Sequence, residues 1–370
     1  MAFIPKKTFL IPAKAGTVLT SGLGTTGVKY IIERQDRRLE SVMLHLNVTM
    51  ASTITATSTT DKLEGLVKKI KVMLSDKAGD SRTVVNAGSA TLLHWQSKHD
   101  GRLSATQRQC IGQVTAGTYD LWVKVPFQHP LAALPVGYAQ SIPLWKKNAD
   151  GIGLGDDIEI TVDLAALSSA DFGFSANTFT VNTARLYANM WLIGEAGSAA
   201  AKIGYVPSKL VTSDFDATTA TTDYVATLGQ DGFLTSIMFE TYSSIASATA
   251  TARGAALTTP ATDFYKLIYG SSEIEPLYPA KALQEDHLWE DVGTADLASD
   301  NTSNHVYTVN FWHNHPLAEA YLLNTCPNLY ADGKTGDLFK VNPTNSVANS
   351  RLRLSYHCFL ITNPNLLAGA

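Results

Sequence analysis

The sequence predicts an all-β protein built as two tandem eight-stranded jelly rolls, a double jelly roll with few short helices and long loops. Three observations carry that expectation. Several segments alternate apolar and polar residues with the period of two that gives a strand one buried face. A corner of four residues, His-Pro-Leu-Ala, follows an aromatic-rich strand at positions 129–132 and returns at 315–318, 186 positions later in a chain of 370. Connections between strands are uneven in length, and long returns suit a Greek-key sandwich where uniform spacing would suit a meander or an up-and-down barrel.

The corner is informative because proline lacks a backbone N–H and cannot continue a central ladder, so it marks where the chain leaves a sheet. In the first copy it follows Leu121, Val123, Val125 and Phe127, which alternate with Asp120, Trp122, Lys124 and Pro126. In the second it follows Val306-Tyr307-Thr308-Val309-Asn310-Phe311-Trp312 through His313 and Asn314. Recurrence at about half the chain length suggests two copies of one β fold. The expected division is an N-terminal arm at 1–37, a first roll at 38–170 and a second roll at 171–370.

Taken in order, residues 1–37 read as an extended arm. Phe3, Ile4, Phe9, Leu10 and Ile11 are scattered among Lys6, Lys7, Lys14 and two prolines, and a Gly-rich passage follows. Such a segment has no core of its own and is expected to lie on a neighbour. From 40 to 50 alternation is strict, with Val42, Leu44, Leu46, Val48 and Met50 on one face, which predicts a strand. Leu66, Lys68, Ile70, Val72 and Leu74 alternate against Val67, Lys69, Lys71 and Met73, with lysines on both sides. Thr83-Val84-Val85 and the segment from Ala90 to Trp95 precede the strand at 119–127. Ile158, Ile160, Val162 and Leu164 predict another strand, and the small residues of 165–176 suggest a linker.

The second half is expected to open with a long strand at 178–193, anchored by Val181, Leu186 and Trp191. Residues 212–224 and 243–262 are rich in Thr, Ser and Ala with little periodicity, so they read as surface loops projecting outward. Between them, 233–239 reads as a strand. Proline 279 would open an amphipathic helix over 279–291, with Leu283, His287 and Leu288 on one face. The alternation of Leu352, Leu354, Tyr356, Cys358 and Leu360 predicts a closing strand at 351–361.

Composition narrows the function. Hydrophobic residues make up 45% and charged residues 17%, against a usual ~25% charged. A large chain this poor in charge is expected to bury much of its outside against other subunits, because interface cores are depleted in charge. The formal net charge is −4 with no block of Lys or Arg, so direct nucleic acid binding is not expected: counterion release needs clustered cations. The first residues lack the apolar run of a secretory signal, and no segment approaches the ~20 apolar residues of a membrane-spanning helix. Cys110, Cys326 and Cys358 are odd in number and widely spaced, which argues for buried free thiols in a reducing cytosol rather than a disulfide framework.

No motif predicts catalysis, and no catalytic, cofactor-binding or metal-ligating residue is assigned. Gly22, Gly24 and Gly27 fit the dinucleotide spacing G-x-G-x-x-G, with Glu40 near the place of a ribose-binding acid. The next secure element is a strand, however, so the strand–turn–helix that would give those glycines a phosphate to cradle is not expected. His313, His315 and Glu319 have the H-x-H-x-x-x-E spacing of the first cupin motif, but the flanking glycines and a second motif are missing. The first copy of the corner keeps only His129, so folding explains the shared residues better than a metal does. The remaining histidines, His45, His94, His99, His287, His305 and His357, show no triad partner and read as structural. The acid pairs Asp156-Asp157 and Glu273/Glu275 read as solvated carboxylates.

The order of elements resembles the double jelly-roll major capsid proteins of tailless, membrane-containing icosahedral bacteriophages, the tectivirus and corticovirus group. The residues carrying the resemblance are the strand pair and turn over 42–76 followed by His94-Trp95, then Arg185-Leu186-Tyr187. A further stretch runs from Val341-Asn342-Pro343 through Asn349-Ser350-Arg351-Leu352-Arg353-Leu354-Ser355-Tyr356 to Phe359. The resemblance implies a non-enzymatic shell protein without cofactors. It would be a homotrimer whose six rolls form a pseudo-hexameric capsomer tiling an icosahedral capsid over an internal membrane. It also implies contacts with neighbouring capsomers, penton and minor capsid proteins, and places loops of 212–262 in an outer tower. Phe3, Ile4, Lys6, Lys7 and Lys14 would lie near neighbours or lipid headgroups. The chain would be assembled in the host cytoplasm and reside in the virion. Two other readings stay open at this point: a cupin-like jelly-roll metalloenzyme and a phage spike or lectin-like binding protein.

Overall fold

The structure is a computed structural model. It describes residues 6–15, 27–53, 63–75, 81–100, 103–113, 115–127, 136–146, 153–164, 179–192, 208–217, 226–227, 232–242, 264–269, 272–279, 306–310, 330–331, 339–343 and 350–359. The strands and helices of the first half are β1 (Lys6–Ile11), β2 (Val28–Ile32), β3 (Arg37–Met50), β4 (Val67–Ser75), β5 (Ser81–Ala87), α1 (Ser89–Asp100), α2 (Ala105–Cys110), β6 (Gly117–Pro126), α3 (Val136–Gln140), β7 (Ile142–Pro143), β8 (Ile158–Leu164) and β9 (Phe179–Leu192). The second half has β10 (Ser208–Ala217), β11 (Ala226–Thr227), β12 (Gly232–Tyr242), β13 (Phe264–Tyr269), β14 (Ser272–Pro279), β15 (Val306–Asn310), β16 (Tyr330–Ala331), β17 (Phe339–Pro343) and β18 (Ser350–Phe359).

These strands form three sheets. One has the order β1-β9-β3-β6, with β7 on β3. A second runs β15-β12-β18-β10-β5-β4-β8-β2, with β16 on β12, and a third runs β11-β17-β13-β14. The pairings are antiparallel except that of β10 with β5. The core of the first half follows from the alternation in the sequence. Val42, Leu44, Leu46 and Val48 of β3, Leu121, Val123 and Val125 of β6, and Leu186, Ala188 and Met190 of β9 point inward. They pack with Ile158, Ile160 and Val162 of β8, Ile70 and Val72 of β4, and Val28, Tyr30 and Ile32 of β2. Val181 and Trp191, expected as anchors of 178–193, are buried as well.

Several expectations are corrected. Residues 28–32 are not part of an arm: they pair with β8 from Val28↔Val162 to Ile32↔Ile158, and their apolar side chains enter the core. Lys6–Ile11 pairs with β9 of its own chain, from Lys6↔Trp191 to Ile11↔Leu186. The strand at 179–192 does not open a second sheet, since it pairs with β3 from Arg37↔Leu192 to Met50↔Phe179. Residues 212–217 are not loop: β10 pairs with β18 over ten positions, with Thr212 bonded to Ser355 and Asp214 to Arg353. Pro279 ends a strand rather than opening a helix, while 280–291, both His-Pro corners, the 165–176 linker and 243–262 lie outside the described residues.

Among the described residues three α-helices interrupt the strands. α2 is held by a capping box: the Ser104 hydroxyl accepts from the Gln107 N–H at 3.1 Å and the Gln107 side chain accepts from the Ser104 N–H at 2.9 Å. Beside α3, Arg38 is wholly buried, donating to the Tyr138 carbonyl at 3.0 Å and lying 4.6 Å from the Tyr138 ring and 5.1 Å from that of Trp145. Trp191 donates to the Ser141 hydroxyl at 3.2 Å, which ties β9 to the same corner. The Leu44→Ala variant, which empties a fully buried position at the centre of β3, is expected to lose about 2–5 kcal/mol of unfolding free energy in denaturant titration.

Candidate functional site: the seam between the two halves

The element that gives the halves a fixed relation is the parallel pairing of β10 with β5, through Leu210↔Val85 and Val211↔Asn86. It makes a single sheet from strands more than a hundred residues apart in sequence. A parallel pair cannot be closed by a hairpin, so only the tertiary fold can bring these strands together.

α1 lies against this junction. Its start is anchored by Ser89, whose hydroxyl accepts from the Val67 N–H at 3.1 Å and donates to the Glu64 carbonyl. The face of the second half's sheet turned toward α1 is set by register. Leu210, His357 and Ser236 stand in one row, Thr212, Ser355 and Met238 in the next, and Asp214, Arg353 and Glu240 in the third. Leu210 and Met238 join the same apolar cluster as the first half's core. Ile237, Leu354, Tyr356 and Cys358, alternating with these, are buried on the opposite face.

Most polar members of the grid are partnered, Asp214 and Arg353 at its more exposed end, whereas the Ser236 hydroxyl is buried without a hydrogen-bond partner among the described residues. Glu240 is fully buried, and its Oε2 accepts from the Thr91 hydroxyl of α1 at 2.8 Å. One helical turn further on, the Trp95 ring lies 6.2 Å from that of His357. Ser208 closes the end of the seam by donating to the Phe127 carbonyl at 2.7 Å. Arg353 forks onto Asp214, Nε to Oδ1 at 2.7 Å and Nη2 to Oδ2 at 3.0 Å. Burying a carboxylate costs several kcal/mol unless it is hydrogen-bonded, so this layer holds the halves in one alignment rather than simply adding stability.

The motifs weighed in the sequence do not assemble into a chemical site among the described residues. Glu40, the ribose-acid decoy, pairs with Lys6 Nζ at 2.9 Å. Gly27 sits against β8, where a Cβ would crowd the side chains of Asp163 and Thr161. Gly22, Gly24, His287, His305, His313, His315, Glu319 and Cys326 lie outside the described residues. Cys110 is buried and donates to the Asp120 carbonyl at 3.3 Å, and burial, with help from Glu64 and Asp120, pushes its thiol up to about 12. Cys358 is buried in β18. Asp157 accepts from the Arg34 backbone N–H at 2.9 Å.

His45 lies on the outer face of the five-stranded sheet, stacked on Trp122 with 4.1 Å between ring centroids and Nε2 2.8 Å from Asp120. Hydrogen bonds from Asn47 and His45 hold the Asp120 carboxyl below its ordinary range. Sequence reasoning missed the seam partners Thr91 and Glu240 because each is one polar residue in an otherwise unremarkable segment and nothing local links positions 91 and 240, while His357 read as a structural histidine without its partner.

With this geometry in hand, the fold is identified as that of the double jelly-roll major capsid proteins of viruses. The chain is similar to VP54 of PBCV-1 (10% identity, 97% of this chain and 94% of that one, TM-score 0.60). It is similar to the major capsid protein of STIV (11% identity, 99% and 100% covered, TM-score 0.56) and to the major capsid protein P2 of bacteriophage PM2 (10% identity, 97% and 99% covered, TM-score 0.52). No family model and no curated protein matches the sequence.

Two outcomes follow for the seam. Thr91→Val removes a hydrogen bond to a buried carboxylate and is expected to destabilise the protein by about 1.5–3 kcal/mol in denaturant titration. His357 is the second. Its imidazole is pushed down by burial to about 4 from 6.5. Above pH 6.5 the ring is neutral both folded and unfolded, and below it the unfolded chain takes up the proton first. Stability is therefore expected to fall as pH drops from 6.5 toward 4, by about 3 kcal/mol at 1.36 kcal/mol per unit. Melting curves across this window should be flatter for His357→Gln.

Proposed function

We propose that this chain is a major capsid protein that forms a homotrimeric, pseudo-hexameric capsomer and tiles an icosahedral virus shell over an internal membrane. The observation that carries this reading is the seam. Two jelly rolls welded through β5 and β10 into one continuous sheet give a rigid block with two similar corners. Three such blocks around an axis fill six positions of a tile. The likeness to viral capsid proteins runs over 97–99% of the chain, so it includes the joint as well as each roll.

In this reading the chain performs no catalysis and its work is geometric. Contacts within the trimer are obligate and apolar, burying more than ~2,000 Å², while contacts between capsomers are weaker so that assembly can correct errors. Its partners are other copies of itself, neighbouring capsomers, penton and minor capsid proteins, and its location is the virion. Lys6 and Lys7 on β1 and Lys14 beyond it face the inner membrane or a neighbour. The hydrogen bonding of β9 with β3 supports placing the division between the rolls after Leu192 instead of near 171. The pairing of β2 with β8 likewise supports starting the first roll at Val28.

The purified protein is expected to run in light-scattering chromatography at three times the chain mass of 39.8 kDa and to appear as hexagonal blocks in electron micrographs. A folded monomer at micromolar concentration, or an elongated rod, would overturn the proposal.

A further inference from the structure

Beyond α1 the seam opens into a cleft of about 520 Å³, within the roughly 300–1,000 Å³ range of small-molecule sites. Among the described residues its walls are the ends of β4, β5 and β8 from the first half and the middle of β10 and start of β18 from the second. The wall is built rather than accidental. Register runs Val67↔Leu164 and then Lys69↔Asp163, so Lys68 is the extra residue of a bulge. In a regular strand Lys68 and Lys69 would project to opposite faces, whereas the bulge lets both line one cleft. Gly88 permits it: a Cβ there would stand 3.0 Å from the Lys68 carbonyl and 3.2 Å from that of Val67.

The second half contributes Arg353, held in place by its fork to Asp214, so one carboxylate of the wall is already neutralised. Lys69 is half-buried opposite Asp163 across the strand pair, and neither has an ion-pair partner among the described residues. Three cations and two carboxylates, one of them spent on Arg353, thus line a cleft with a net positive charge, in which Asn86 and Thr212 offer hydrogen bonds and, among the described residues, no aromatic ring provides a stacking platform.

We propose that this cleft binds a sulfate or phosphate oxyanion, either as a free ion or carried on a saccharide, with Lys68, Lys69 and Arg353 holding the oxyanion. In the saccharide case Asn86, Thr212 and Asp163 take hydroxyl groups. Charge-assisted hydrogen bonds to an oxyanion are about twice as strong as neutral ones and lean on rigid donors, which the bulge and the Arg353 fork supply. Because its walls come from both halves, an occupied cleft also clamps the seam.

Calorimetric titration of the full-length protein with sodium sulfate, sodium phosphate and a sulfated disaccharide tests this. Saturable binding is expected, weakened about tenfold or more in Lys68→Gln/Lys69→Gln. Equal affinity for free ion and disaccharide assigns the ion as ligand, and tighter binding of the disaccharide assigns the saccharide. Lys68 is exposed, so Lys68→Glu keeps the fold and carries the same expectation should the double variant not fold. Absence of saturable binding by all three ligands, or equal affinity in wild type and the Lys68→Glu variant, would overturn the site without touching the capsid reading.

Discussion

The parallel contact between β5 and β10 is the constraint on which the remaining architecture depends. A jelly roll alone leaves sheet edges with unpaired N–H and C=O groups. Here one edge of each half satisfies the other, and the nine-stranded sheet that results runs from one half into the next. The pairing itself is short, only two register positions. Its neighbours make it secure: α1 covers one face, and Leu210 and Met238 extend the first half's apolar core beneath it.

The polar layer at this joint explains why alignment is specific. Apolar packing tolerates sliding, because burial depends on area and not on direction. A buried carboxylate does not tolerate it. Glu240 must meet the Thr91 hydroxyl, and a shift of one residue along α1 would leave it without that partner at a cost comparable to a large fraction of total stability. A shell built of many copies needs each block to have the same shape, and directional bonds inside the joint provide it. The Arg38 corner does the same work at another edge, binding α3, β3 and β9 through a cation enclosed by Tyr138 and Trp145.

Much of the first roll was legible because one face of each strand is wet. The strict alternation from Val42 to Met50 and from Ile158 to Leu164 corresponds to strands with inward apolar residues. The lysines on both sides of the 66–74 segment were a signal too, since Lys68 proves to be a bulge residue. Where the period vanished, the reason is physical. Residues Ala90 to Trp95 of α1 are all buried, enclosed by both halves, so no polar stripe marks the helix. β10 is rich in Ser, Thr and Asp, with Thr212 and Asp214 on the face turned to the seam, and its part from 212 to 217 therefore reads as loop. The short strands β1 and β2 fell within the stretch that read as an arm because Lys6, Lys7, Lys14, two prolines and a Gly-rich passage break its pattern, although Lys6 in fact pairs with Glu40 at 2.9 Å and Lys29 with Glu159 at 2.8 Å.

The amino-acid sequence by itself determined the β class, the faces of the long strands and the doubled plan, because these rest on local alternation and on proline's missing donor. Only tertiary structure decided that β9 belongs with β3, that β10 lies beside β5, and that Thr91 meets Glu240. Those pairings join positions 125 or more residues apart, and hydrogen-bonding edges are chemically alike along any strand. Their choice is made by which arrangement buries the cores and satisfies the polar groups together.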